Sequence, residues 1–438
     1  MSVRQEAYST IIKILKDREF SDTLLHQKAK KLKASDESVS LYYHLVKGII
    51  KFRLRLDYIL GKFTDPKRYA NTDIKIKTLL YIGLYQLIYL DSVPEHAAVN
   101  ETVQLAKTIL GDGIADFVNA VLRSYIRNPE IIFPTEPIER ISTEHSYPPE
   151  LIKTWIELWG EEDTEYLAIF FNETPQLHVR INRTATTPEK LTKYFAKRNI
   201  IMETSPASKM MLHTLQGDEV LDDVAFSEGY FSIQDTSAAL IVELLDPQLE
   251  QSVLDMFAAP GGKCTYIAEI MENTGEVIAV DKIPNKMKLL KQAADRLQLF
   301  NISLVVTDTF TYGPVAPAYD RVLVDAPCSG WGVFGRKSDL RWQIHQNIGD
   351  LLKLQEKALN YGANFVKPGG YLVYSTCTMN PQENEEQINK FLAQNSRFQL
   401  VDASQFIPSQ YTEAGFFKSI PFKHNMDGAF AAKLLRIK

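Results

Sequence analysis

"VLDMFAAPGGKCTYIAEI", residues 253–270, is the stretch on which the reading of the fold turns. It opens with a short apolar run, passes through a turn of small residues and continues at helical spacing. Similar apolar runs follow at "EVIAVD" (276–281), "ISLVV" (302–306), "RVLVD" (321–325) and "YLVYS" (371–375), with helical patterns between several of them. Such alternation predicts a parallel sheet with helices on both faces, an α/β Rossmann-like domain over residues 236–438.

Ligands of open α/β sheets bind beyond the carboxyl ends of the strands. The turn after the first strand supplies Phe257, Ala258, Ala259, Pro260, Gly261, Gly262 and Lys263. Its two glycines leave room for a backbone approach that a Cβ would block. Asp281 lies twenty residues after Gly261, at the distance where an acid accepts hydrogen bonds from ribose hydroxyls. Asp308 and Asp325 end the next two apolar runs, Asp308 where a group would reach an adenine. The turn itself carries neither G-x-G-x-x-G nor G-x-x-x-x-G-K-[ST]. The spacing fits a nucleoside cofactor without phosphates. S-adenosylmethionine, with its sulfonium and amino group, suits an acidic lip that includes Asp255. From this segment alone, a bare βα turn with packing glycines reads equally well.

Outward from this domain the pattern changes twice. Residues 1–127 carry apolar residues at three- and four-residue spacings, as in "ESVSLYYHLVKGIIKFRLRLDYIL", and predict an all-α bundle. Prolines 129, 134, 137, 148 and 149 mark residues 128–149 as a linker. Residues 150–235 mix two helical patterns with strands "LHVRINR", "KMMLHTL" and "GYFSIQD", and "TPEKLTKYFAKRN" carries a Thr-Pro helix start. They predict a small α+β domain of the ferredoxin or RRM-like kind.

Composition bounds the function. Three cysteines and no C-x-x-C pair exclude a disulfide framework and give no metal site. "MSVRQEAYST" lacks a signal-peptide apolar stretch, and "TLLYIGLYQLIYL" (78–90) is too short to span a bilayer. A cytoplasmic protein with reduced thiols and no membrane role is expected. The net charge is −5, but residues 1–130 hold 20 Lys+Arg against 15 Asp+Glu, a balance of +5, which leaves −10 for the remainder. The helical part is thus a basic module, with runs "KAKKLK" (28–33) and "IKFRLR" (50–55), each of which alone reads as a solvated helix face.

Cys328, in "VLVDAPCSGWG", and Cys377, in "YLVYSTCT", both follow apolar runs. If these are successive parallel strands, both thiols face one crevice. A single free cysteine is usually a small buried hydrophobe; two beside a cofactor loop point to nucleophilic chemistry.

Taken together, "DMFAAPGGKC", "AVD", "DAPCSGWG", "YSTCTMNPQENE", "VRIN", "IQDTSA" and "DGAFAAKL" resemble the RNA 5-methylcytosine methyltransferase family. "VPEHAAVNETVQLAK" and "FVNAVLR" resemble the NusB-like RNA-binding domain, and the combination is similar to RsmB-type 16S rRNA methyltransferases. The resemblance covers almost the whole chain. It implies a class I S-adenosylmethionine-dependent methyltransferase acting on carbon 5 of a cytosine in 16S rRNA, with RNA as partner; a monomer is expected.

It also implies roles. The thiol matching Cys377 attacks the base, the one matching Cys328 assists product release, and Asp325 lies against the cytosine. Lys263 adds positive charge near the base or the methionine carboxylate. Pro-Cys nucleophiles of DNA cytosine methyltransferases would instead point to Cys328. Arg180, Asn182 and Arg336 are the expected RNA contacts. Phe257 stands where the family usually has a small residue or cysteine, Trp331 where it has threonine, and Ser338 where proline is common. The same reaction on tRNA, and a non-catalytic RNA-binding or transcription factor, are the alternatives.

Overall fold

Among the described residues, helical spacing in the first third of the chain becomes five long helices: α1 (Val3–Asp17), α2 (Asp36–Lys62), α3 (Ile74–Tyr89), α4 (Glu95–Leu110) and α5 (Asp112–Arg127). This computed structural model describes residues 2–17, 24–25, 36–313, 318–343 and 348–438. The "KAKKLK" run therefore lies outside the described residues. Asp73 caps α3 by accepting from the Lys75 N–H (2.7 Å). α3 is apolar nearly all round and lies at the centre, its residues from Thr78 to Gln86 buried. α5 instead buries one stripe, Ala115, Val118, Val121 and Leu122. Leu45, Val46, Ile49, Leu79, Ile82 and Val99 complete the core. No described helix is long and apolar enough to cross a membrane.

The proline-rich stretch expected as a linker holds a helix, α6 (Pro137–His145). Pro137 sits in its first turn, where the missing N–H costs nothing, and Glu136 caps it through the Glu139 N–H (2.8 Å). Pro149 likewise opens α7 (Pro149–Asn172), which is interrupted at Gly160. Here the prolines start helices instead of breaking them. Both helices group with the bundle, so the division falls after Glu173 instead of at residue 150: one unit is Met1–Glu173 with Arg336–Ile344, the other Thr174–Gly335 with His345–Lys438.

The second unit begins with the expected α+β segment. Strands β1 (Leu177–Ile181), β2 (Glu203–Thr204), β3 (Met211–Thr214) and β4 (Phe231–Ile233) form an antiparallel sheet in the order β2-β3-β1-β4. Helix α8 (Pro188–Ala196) covers it, packing Leu191 and Phe195 on Val179, Ile181, Leu212 and Phe231. Helix α9 (Thr236–Leu245) then leads into the large sheet.

Its strands are β5 (Ser252–Met256), β6 (Glu276–Asp281), β7 (Ile302–Val306), β8 (Tyr319–Asp325), β9 (Val366–Thr376), β10 (Phe398–Val401), β11 (Thr412–Glu413), β12 (Phe416–Ser419) and β13 (Ala429–Arg436). The order is β11-β12-β13-β9-β8-β5-β6-β7, with β10 paired to β13. The five strands from β9 to β7 are parallel, as predicted. The C-terminal strands add antiparallel to β9, so the sheet is mixed. Helices α10 (Gly262–Ile270), α11 (Pro284–Arg296), α12 (Ile348–Ala363) and α13 (Glu385–Gln394) belong to the same unit. Alternate residues feed opposite cores: Val253, Val277, Leu323 and Val373 one, Leu254, Val280, Val322 and Leu372 the other. Burial on both faces is why these strands read as unbroken apolar runs. The chain leaves β5 toward β6 on one side and returns to β8 on the other, creating a switch point with a crevice at the carboxyl ends.

Arg180 of β1 links the small sheet to α10. It pairs with Glu269 (2.6 and 3.1 Å), donates to the Gly262 carbonyl (2.7 Å) and to Thr265 Oγ1 (3.1 Å), and also bonds Gln234. Both side chains of the Arg180–Glu269 pair are wholly buried. Arg180→Ala would leave Glu269 charged and unpaired, and roughly 3–5 kcal/mol of stability should be lost. Replacing both residues with methionine should recover most of it. Urea denaturation of the three variants checks this, and an alanine variant as stable as wild type would contradict it.

Candidate active site

Five parallel strands deliver the predicted residues to one end of the sheet. β8 and β9 pair with Asp325 opposite Ser375. Past their ends the two loops remain joined by backbone bonds, Ala326 N–H to the Ser375 carbonyl (2.9 Å) and Gly332 N–H to the Cys377 carbonyl (3.1 Å). Cys328 Sγ then lies 3.2 Å from Cys377 Sγ. Both cysteines are partly exposed, whereas Cys264 is buried within α10 and belongs to the core. Gly332, in the same loop, passes close over Gly428: a Cβ there would stand 1.8 Å from the Gly428 carbonyl oxygen.

The first loop brings Lys263 to the same place. Its Nζ donates to Asp325 Oδ2 (2.7 Å), while Ser375 Oγ donates to Asp325 Oδ1 (2.8 Å). Burial alone would pull the lysine ammonium down, but Asp325, with Cys377 and Asp255 behind it, holds it above its usual value. Lys263 is therefore a fixed cation among the reactive groups. The Cys328 thiol is pushed well up by its hydrogen bond with Cys377, then by burial and by the Glu383 carboxylate. It stays protonated at neutral pH.

The residues expected at the cofactor lie at the ends of β5, β6, β7 and β8 and in the turn after β5. Asp281 ends β6, accepting from the Ile283 N–H (2.9 Å) and the Ala259 N–H (3.3 Å). It thereby ties the β5 turn to its own strand. Asp308 is exposed just beyond β7 and caps a short 3-10 turn through Phe310 N–H (2.9 Å). Ala258 N–H donates to the Val280 carbonyl (3.1 Å), and the Ala259–Pro260 peptide is cis. Phe257 has φ 62°, uncommon for an aromatic residue, and its ring meets Phe310 edge-on at 6.1 Å. Gly261 has φ 109°, and a Cβ there would stand 2.5 Å from Leu290 Cγ of α11. At Gly262 a Cβ would make only ordinary contact, at 3.5 Å from Gln234. The first glycine serves the turn and helix packing, and the second leaves an exposed approach.

Asp255 is not the acidic lip expected from its place in the sequence. It is buried, with neither carboxylate oxygen hydrogen-bonded. Burial, then Asp325, pushes its carboxyl well above the usual range, against the pull of Lys263. Two buried acceptors without donors, close to the turn, suit a cofactor that carries an amino group. Together with Asp281, Asp308 and the exposed Gly262, the residues fit S-adenosylmethionine.

Two predicted RNA contacts are corrected. Arg180 is wholly buried in the network with Glu269, out of reach of any phosphate. Asn182 is buried too, donating to the Gly229 (2.9 Å) and Leu297 (3.3 Å) carbonyls. β1 is buried on both faces from His178 to Ile181 and Asn182 directly follows it, and an isolated "VRIN" cannot reveal the buried acid that Arg180 meets. Arg336 is half-buried and groups with the helical unit. In the same segment Arg341 is buried, stacked on Tyr147 at 3.9 Å and bonded to Asn172 Oδ1 (3.0 Å). The "IKFRLR" run is likewise engaged inside its unit. Arg53 lies over Trp342 (4.2 Å), and burial draws Lys51 down to about 7. Trp331 is buried. Sequence reasoning missed Ser329, Gln355 and Ser375, and quoted Glu383 without giving it a role.

The folded Asp255 carboxyl titrates above the unfolded one. The folded state therefore holds more protons above about pH 4, and stability falls as pH rises through that window. Asp255→Asn removes the effect. Its urea midpoint relative to wild type, without cofactor, should climb between pH 4 and pH 8. Parallel pH curves for the two proteins would contradict this.

Comparison with known proteins follows the two-unit division. Residues 1–127 match the NusB family, and residues 242–435 match the family described as 16S rRNA methyltransferase RsmB/F. The chain is 35% identical to the probable ribosomal RNA small subunit methyltransferase B of Bacillus subtilis, over 99% of this chain and 98% of that protein. It is 31% identical to ribosomal RNA small subunit methyltransferase B of Proteus mirabilis, over 88% and 90%. Among solved structures, a methyltransferase homolog protein from Pyrococcus horikoshii is 25% identical with a TM-score of 0.59, over 69% of this chain and 100% of that one. The structure of NSun6 from the same organism with SFG shares the fold, at 24% identity and a TM-score of 0.60, over 67% and 99%. A basic helical domain joined to a switch-point sheet with paired thiols, and relatives matching end to end, place this chain in the 16S rRNA methyltransferase RsmB/F family.

Proposed function

We propose that the protein methylates carbon 5 of a cytosine in 16S rRNA through a covalent bond between Cys377 and the base. The observation that carries this reading is the pair of thiols, 3.2 Å apart at adjacent strand ends, with Lys263 and Asp325 beside them. Asp281, Asp308 and the turn from Phe257 to Lys263 would hold S-adenosylmethionine, which supplies an electrophilic methyl group for carbon 5.

Carbon 5 of cytosine is a poor nucleophile. Addition of the Cys377 thiolate to carbon 6 makes an enamine of the ring, and carbon 5 becomes nucleophilic. The Lys263 charge favours that thiolate, while Cys328 keeps its proton. Asp325 supports the base at N3 or the amino group as charge shifts into the ring. Once Cys377 sulfur is bonded to carbon, the strongest influence holding up the Cys328 pKa is gone. Cys328 can then lose its own proton to solvent, and its thiolate takes the carbon 5 proton as the bond from sulfur to carbon 6 breaks. Cys377 leaves as a thiolate.

RNA reaches this site through different physics. The N-terminal module, with its balance of +5 over residues 1–130, would grip phosphates with an affinity that falls steeply with salt. Arg336 remains a candidate contact. A target in a stem must be extruded at a cost of a few kcal/mol, and a loop is the cheaper target. Names of the curated relatives favour small-subunit rRNA, and with it a cytoplasmic site of action.

Two experiments test the reading. Cys377→Ala should abolish both methyl transfer and the covalent RNA adduct, while Cys328→Ala should accumulate the adduct, seen as a slow band on a denaturing gel. The reverse pattern would exchange the roles. Bisulfite sequencing of RNA from a deletion strain should show loss of one 16S rRNA mark; loss of a tRNA mark with rRNA intact would move the substrate to tRNA. Binding of RNA without transfer would leave a non-catalytic factor.

A further inference from the structure

Glu383 is a buried acid with four neutral donors. Its carboxylate accepts from the Ser329 N–H (2.8 Å), the Ser329 hydroxyl, Gln355 Nε2 (2.8 Å) and Asn380 Nδ2 (3.2 Å). A carboxylate with no exposed surface is costly unless every lone pair is used. Here the donors come from both reactive loops. Ser329 directly follows Cys328, and Asn380 lies in the turn after Cys377. Gln355 of α12 also donates to the Pro327 carbonyl (2.9 Å), directly before Cys328. Ser329 Oγ meets Thr378 Oγ1 at 2.8 Å, and Tyr374 OH donates to the Glu383 carbonyl (2.7 Å). The chain is thus gripped on each side of Cys328 and fastened to the segment that carries Cys377.

We infer that Glu383 is a positioning residue: it holds the Cys328 loop on the Cys377 segment and so sets the separation of the two sulfurs. The inference rests on the proposed reaction for its purpose, but the spacing itself is measurable without any RNA. Glu383→Gln keeps the shape and loses the match. An amide nitrogen at either oxygen position faces a donor that cannot turn: the Ser329 N–H on one side, or Asn380 Nδ2 on the other. Asn380 is fixed because its own Oδ1 accepts from the Gln382 N–H (3.2 Å). The loop should shift off the Cys377 segment.

Disulfide trapping in the full-length protein reads the spacing. Diamide oxidises the Cys328 and Cys377 thiols to one disulfide; the two hydrogens and two electrons they lose reduce the diazene to its hydrazine. The linked peptides are quantified by mass spectrometry. Resistance of buried Cys264 to iodoacetamide reports that the fold is intact.

Wild type should form the bond readily. Glu383→Gln should form it at least about tenfold more slowly with Cys264 still protected, since misplacement of about 1 Å costs on the order of a hundredfold in a proximity-limited reaction. An unchanged rate would overturn the inference. If Cys264 becomes reactive, the decision passes to Ser329→Ala, which removes only the hydroxyl bonds: slower trapping supports the clamp and an unchanged rate overturns it. RNA then separates the two ideas. Slower trapping with accumulation of the covalent adduct, as in Cys328→Ala, supports both. Slower trapping without an adduct keeps the clamp and removes the release role of Cys328.

Discussion

Asp325 and Ser375 face each other across two parallel strands, and the chemistry of the molecule depends on that register. A slip of one residue would turn alternate side chains to the other face. Asp325 would leave Lys263, and the thiols would no longer meet. The register is protected by burial on both faces, with Val322, Val324, Leu372 and Tyr374 in one core and Leu323 and Val373 in the other. Beyond the strands the same alignment is carried on by the backbone bonds from Ala326 and Gly332 and by the close pass of Gly332 over Gly428.

Four acids around this strand end are settled in four ways. Glu269 meets a buried arginine, which fixes α10 and with it the turn after β5. Asp325 meets Lys263 and Ser375, one on each oxygen, which orients it. Glu383 meets only neutral donors and fastens one loop to another. Asp255 meets no donor at all and is held toward its neutral form by burial. The first and third arrangements hold the chain in place, and the second fixes a carboxyl group and a lysine together at the strand end. The fourth leaves acceptors unfilled beside the cofactor-type turn.

Much of this was legible in the sequence, because the parallel strands bury both faces and read as apolar runs. "RVLVD" and "YLVYS" gave β8 and β9, and hence the meeting of the two cysteines. "TPEKLTKYFAKRN" gave α8 from its Thr-Pro start. What was not legible depends on partners distant in the chain. Nothing in "VRIN" tells that Arg180 is opposite Glu269, 89 residues on. Nothing in "NPQENE" tells that Glu383 reaches back to Ser329. The prolines of residues 129–149 misled because Pro in a first helical turn and Pro in a linker have the same composition. The C-terminal antiparallel strands were missed because "DGAFAAKL" was read as a motif instead of as a strand.

The central claim is that Cys377, not Cys328, bonds to the base. RNA carrying 5-fluorocytidine at the target has no removable carbon 5 proton, so the complex stalls with sulfur attached to carbon 6. Protease digestion of that complex and mass spectrometry of the nucleotide-bearing peptide identify the sulfur. The account predicts the peptide that contains Cys377, and a nucleotide on the peptide that contains Cys328 would contradict it.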